Sequence, residues 1–180
     1  RWNQWGLGLS CAYLAWTAAA QAHVRDVAQD SLAAAQVPAE APLLVTPTAF
    51  NTVLWRVVVM RGDHYLEGFH SLLDAESRVQ FRRLPRDVAL ERQLEPLWAV
   101  RRMAWFSRGF YRLNEEDGQA YLTDLRMGQE PNYVFSFRVA QRGSGWHEVT
   151  PENLGLRGDV RKGLAWTWER MLGREVAPLD

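Results

Sequence analysis

From Trp2 to Val24 no residue carries a formal charge, with His23 taken as neutral. An uncharged run of that length admits few fates: it crosses a bilayer as a helix, leaves as a secretion leader, or is buried in a core. Its centre, Trp5 to Ala20, is long enough to cross, and the expectation is a membrane-spanning helix. Trp2, Trp5 and Arg1 stand at one end as interfacial anchors, and Arg25 and Asp26 mark the return to water at the other. Two alternatives stay open. The run is rich in alanine, as a buried helix would be, and Ala20-Gln21-Ala22 resembles a signal-peptidase site. Cys11 does not mark a lipoprotein, because the apolar stretch continues beyond it. The first residue is Arg1 rather than Met, which suggests a longer protein with further sequence ahead of it.

The helical spacing continues through Val24, Val27, Ala28, Leu32 and Ala35, so residues 1–37 read as the spanning helix and its exit. Pro38 and Pro42 make residues 38–42 a stiff linker, and residues 43–180 are expected to form one soluble α+β domain. There the period becomes two. Thr52 to Met60 is apolar on both faces except for Arg56, which predicts a central strand. Arg61-Gly62-Asp63-His64 turns it into a returning strand over His64 to Leu73, with a third strand over Arg78 to Leu84. Asp87 to Phe106 reads as two short helices divided near Pro96. Further strands are predicted at Gly109 to Asn114, Gln119 to Met127, Tyr133 to Arg142 and Trp146 to Val149. Gly158 to Gly173 reads as an amphipathic helix that covers the sheet through Val160, Leu164, Trp168, Met171 and Leu172. The expected architecture is therefore a mainly antiparallel sheet with two short helices and a covering carboxy-terminal helix.

Twenty-one basic residues balance twenty-one acidic ones, which argues against a nucleic-acid partner. The single cysteine excludes an internal disulfide, and no Cys/His spacing of zinc-finger type occurs. No phosphate-binding glycine loop, nucleophile elbow or H-E-x-x-H motif is present. Between Arg78 and Arg112 nine arginines face only Asp87, Glu91 and Glu95, with Trp98 and Trp105 interleaved. Such a surface is either a solvated helix face or a contact for anionic lipid headgroups, and membrane lipids are an expected partner.

Arg56 is the charged residue least at home in its surroundings, since a guanidinium within a buried strand needs a carboxylate. Glu67, Asp74 and Asp124 are the candidates, with Glu67 first because the hairpin carries it alongside. Asp124 and Arg126 lie on the same side of one strand and can pair with each other. Arg56, Glu67, Asp74, Asp124 and Arg126 are thus the candidate binding residues, with a register-fixing ion pair as the competing role. His64 and His70 lie roughly 20 Å apart along one strand at about 3.3 Å per residue, too far to share a metal. Asn51 reads as a turn residue, His23 as an interfacial one and His147 as solvent-facing.

Four strings carry a resemblance: Thr46 to Arg56 (TPTAFNTVLWR), Tyr65 to Asp74 (YLEGFHSLLD), Ala104 to Tyr111 (AWFSRGFY) and Thr123 to Pro131 (TDLRMGQEP). In order and composition they resemble the carboxy-terminal half of the membrane-bound metal-dependent hydrolases of the YdjM/YbcI type, from the first helix to about Trp146. The resemblance implies a bacterial inner-membrane location. It also implies a divalent metal held by histidines and aspartates of an amino-terminal membrane region that this chain lacks, so that no metal is expected in this chain. On that reading the chain is an accessory domain of such a hydrolase. The rivals are a membrane-anchored, non-catalytic interaction module and a soluble enzyme that uses Glu67, Asp74 and Asp124 itself.

Overall fold

A computed structural model of the chain describes residues 2–155 and 158–179. One long helix, α1 (Trp2–Ala34), precedes a four-stranded sheet of β1 (Leu43–Pro47), β2 (Leu54–Met60), β3 (His64–Ser71) and β4 (Gln80–Pro85). These strands lie side by side in chain order, each antiparallel to its neighbour. The short helices α2 (Val88–Leu94) and α3 (Trp98–Phe106) follow, the first capped by the Asp87 side chain. A second antiparallel sheet contains β5 (Tyr111–Glu116) and β6 (Gln119–Asp124), then β9 (Ser136–Arg142) and β10 (Trp146–Asn153), in the order β10-β9-β6-β5. Between β6 and β9 sits a small hairpin of β7 (Gly128–Gln129) and β8 (Asn132–Tyr133). The chain closes with α4 (Val160–Met171). Asp117 and Gly118 both have positive φ, the backbone a tight hairpin needs, and they join β5 to β6.

The central strand β2 is buried throughout, and its alternation assigns the two faces of the first sheet. Trp55, Val57 and Val59 point to one side and pack with Val45 and with Ala20, Val24, Val27, Ala28 and Leu32 of α1. Val58 and Met60 point to the other, where Tyr65, Leu125 and Tyr133 complete a second cluster. A third cluster places α2 and α3 on the second sheet through Leu90, Leu94 and Val100 against Leu113 and Leu122. The first sheet is therefore covered on both faces, by α1 and by the rest of the chain.

No helix among the described residues is long and apolar enough to cross a membrane. This overturns the expected membrane-spanning helix, and with it the inner-membrane placement. α1 has the length, but Asn3, Gln4, Ser10, Thr17 and Gln21 interrupt the apolar run, and its glycines and alanines add little hydrophobicity. Its carboxy-terminal half belongs to a protein core instead. Arg1, read as an anchor, lies outside the described residues.

A second correction concerns α4. The stripe expected to cover the sheet is exposed, at 66 % for Val160 and 59 % for Trp168, while Trp166 on the opposite side is buried. Polar contacts choose the face: Arg170 reaches Asp74, and the Ser71 hydroxyl donates to the Met171 carbonyl at 2.6 Å. Trp166 meets Phe69 edge-on at 4.8 Å between centroids.

Candidate functional site

The register aligns Arg56 of β2 with Phe69 of β3, so Glu67 lies diagonally opposite Arg56 on the same face. Both are almost wholly buried, at 2 % and 3 % exposure. Arg56 Nε donates to Glu67 Oε1 at 2.7 Å, Nη1 to the Leu125 carbonyl at 2.5 Å and Nη2 to the Tyr133 hydroxyl at 2.9 Å. A permanent charge with few other outlets is thereby matched on every side. Arg82 of β4 donates to the second Glu67 oxygen at 3.3 Å.

The network then crosses to the second half of the chain. Glu130, in the β7–β8 turn, accepts from the Tyr65 hydroxyl at 3.0 Å and from Arg112 of β5 at 3.2 Å. Its own amide lies 3.4 Å from Glu67 Oε1. Burial pushes the Tyr133 hydroxyl up to about 12 against the pull of Arg56, and burial raises that of Tyr65 well above the ordinary phenol range. Both tyrosines are held neutral, Tyr65 donating to Glu130 and Tyr133 accepting from Arg56, so neither serves as a base near neutrality.

Asp74 and Asp124 stand apart from this network, which corrects their candidacy as partners of Arg56. Asp74 takes a two-pronged grip from Arg170 of α4, at 2.5 and 2.7 Å, and the Ser71 amide at 2.9 Å. Burial alone would raise its carboxyl, but the Arg170 and Ser71 bonds outweigh that and hold it below the usual carboxylate range. His70 Nδ1 lies 3.2 Å from Asp74 without good hydrogen-bond geometry, and the His23 ring of α1 is 6.3 Å away between centroids. His23 thus sits over the first sheet rather than at a membrane exit. Burial lowers the His70 pKa, against the pull of Asp74 and helped by His23 and Arg170. Asp124 pairs with Arg126, whose Nη2 donates at 2.6 Å and whose amide caps the same carboxylate. Asn51 is the turn residue that its sequence context indicates, accepting from the Val53 and Leu54 amides.

Sequence reasoning found the Arg56–Glu67 pair and missed Tyr65, Arg82, Arg112, Glu130, Tyr133 and Arg170. Arg82 had a signal, because alternation through three strands puts it beside Glu67. Tyr65 had one too, since alternation along β3 puts it on the same face as Glu67, whereas Arg112, Glu130, Tyr133 and Arg170 arrive from regions distant in sequence and had none. Beside the network a cleft of about 650 Å³ opens between β3, β4, the β7–β8 turn, α4 and the tail residues 175–179. Glu67, Arg82 and Glu130 form its polar floor, and Phe69 and Trp166 its apolar wall.

The metal that the resemblance implies does not fit these residues. Glu67, Asp74, Asp124 and Glu130 are each engaged by arginine, and no group of three or more His, Cys, Asp or Glu side chains able to hold a metal exists among the described residues. No protein-family model, curated protein or solved structure matches the chain.

Proposed function

We propose that this chain is a non-catalytic accessory domain, of the kind its resemblance to metal-dependent hydrolases implies, that docks through the amino-terminal half of α1 onto a partner protein. One observation carries this. Trp5, Leu7, Leu9, Tyr13, Leu14 and Trp16 are all between 51 % and 73 % exposed on a helix that continues directly from the core. At 100° per residue, Trp5, Leu9, Tyr13 and Trp16 form one stripe and Leu7 and Leu14 the opposite one. A helix apolar on opposite sides suits a core rather than water, and α1 is not apolar enough to cross a bilayer. A groove between at least two elements of another protein meets that requirement. The outward stripe of Val160, Leu164 and Trp168 on α4 offers a second face of the same character.

The buried charges support a scaffold role rather than catalysis. The carboxylates named as candidates occupy three separate arginine pairs rather than one convergent pocket, which disfavours an enzyme built on Glu67, Asp74 and Asp124.

Cys11 is exposed and is the only thiol, so a photocrosslinking maleimide can be placed within this segment. In extract of the source cells, the expected product is a discrete protein adduct that disappears in Leu9→Asp/Trp16→Asp. The isolated chain is expected to show no metal-dependent ester or phosphoester hydrolysis. An adduct insensitive to the substitutions, or turnover by the chain alone, contradicts the proposal.

A further inference from the structure

β4 is an outer strand of the first sheet, and its free edge has an uncommon setting. The Arg86 amide bonds the Asp63 carbonyl at 2.9 Å, which sets the phase of the adjoining β3–β4 ladder. Bonded and non-bonded pairs alternate in antiparallel strands. Gln80, Arg82 and Leu84 therefore turn their backbone groups toward β3, while Val79, Phe81 and Arg83 turn theirs outward. The Val79 amide is already taken by the Ser31 hydroxyl of α1 at 2.9 Å. Phe81 and Arg83 present the open donors and acceptors, and Pro85, without an N–H, ends the edge.

A cavity flanks this edge on each face of the sheet. On one side the 650 Å³ cleft includes Gln80 and Arg82. On the other a groove of about 420 Å³ runs between Val79 and Phe81 and the end of α1 at Ser31, Ala34 and Ala35. Arg78 borders both, and it forms no ion pair among the described residues. Arg83 is bridged only by a well-exposed contact to Asp63 at 3.1 Å, a pair of little strength. An added strand projects its side chains alternately to the two faces, into one cavity and then the other.

We propose that the β4 edge binds an extended segment of another polypeptide by strand addition, with alternate side chains in the two cavities and an acidic residue against Arg78 and Arg83. A second copy of this chain is the poorer occupant, because pairing β4 with itself brings Arg82 and Arg83 of both copies together. This surface is separate from the α1 segment, so the two proposals stand or fall independently.

The test is a nuclear magnetic resonance titration of the full chain with the peptide acetyl-Glu-Val-Thr-Val-Thr-Val-Glu-amide. Saturable shifts are expected at Phe81 and Arg83, with amide exchange there slowed. Two further peptides are N-methylated, one on the valines and one on the threonines. Loss of main-chain bonds should weaken one of these by about tenfold or more and leave the other close to the parent. Replacing both glutamates by lysine should weaken binding, most at low salt. The proposal is overturned by shifts confined to other regions, by equal binding of all peptides, or by concentration-dependent shifts in β4 without peptide, the mark of self-pairing.

Discussion

The two halves of α1 are one continuous helix with opposite relations to the rest of the chain. The first half, to Ala19, carries no charge among its described side chains and stays in contact with solvent. The second half contains Arg25, Asp26 and Asp30, and it is the half that builds the core. Charge content alone would assign these roles the other way round. The difference lies in arrangement: Ala20, Val24, Val27, Ala28 and Leu32 keep a single face that matches Trp55, Val57 and Val59, whereas the large apolar residues ahead of Ala20 fall on two opposite stripes. A helix joins its own domain through a stripe that continues onto the sheet, and an uncharged segment apolar on two opposite sides awaits a different neighbour.

The largest effect is expected from setting equivalent substitutions in the two halves against each other. Val24→Asp removes a wholly buried side chain and leaves a carboxylate against the first sheet, and it should cost about 4 kcal/mol or more in a denaturant melt. Leu9→Asp should fall within about 0.5 kcal/mol of the parent. Similar losses for both would erase the distinction.

The opposite face of the first sheet supplies the next comparison. Arg56→Ala leaves Glu67 with only the longer contacts to Arg82 and the Glu130 amide and should cost on the order of 3 kcal/mol, with Arg56→Ala/Glu67→Ala costing less than the sum. Absence of coupling would remove the ion pair from its place in the fold. Gly68→Ala tests how tightly the sheet packs beside β4. A Cβ there would lie 2.5 Å from Val79 Cγ1 and 2.8 Å from the Gln80 carbonyl, so a loss of about 1–3 kcal/mol is expected from crowding.

The smallest effect is a pH dependence where α1 meets β3. The His70 pKa is depressed in the folded state, so the unfolded chain binds more protons below the ordinary value of about 6.5. Its contribution is therefore fully present above that value and is lost as pH falls through 6.5 toward the folded pKa. His70→Gln should flatten stability against pH in that window, as measured by thermal unfolding. An unchanged slope would mean that another group governs it.

Much of this architecture could be read directly from residue order. The strand around Arg56, the Arg61–His64 turn and the presence of Glu67 on the neighbouring strand all follow from short-range alternation, whereas the register that sets Glu67 diagonally opposite Arg56 does not. The break near Pro96 likewise separates α2 from α3. The small β7–β8 hairpin left no periodic trace because each strand has two residues, yet its turn supplies Glu130 and its second strand Tyr133. The orientation of α4 does not follow from its apolar stripe, which faces outward, because Trp166 and the Arg170–Asp74 pair decide it. Absence of charge likewise does not make α1 a membrane-spanning helix, because its alanines and glycines contribute little hydrophobicity.

Hydrogen–deuterium exchange along α1 in the dilute, monomeric chain tests the central claim most directly, because one helix contains both environments. Amides from about Val24 to Leu32 should exchange only with global unfolding, as backbone anchored in a core does. Those from Trp5 to about Tyr13, ahead of the Trp16–Thr52 hydrogen bond, rely on helix formation without packing and should exchange faster by about a hundredfold or more. Equal protection across both halves would show the amino-terminal half to be packed within this chain, and would contradict its assignment as a docking segment.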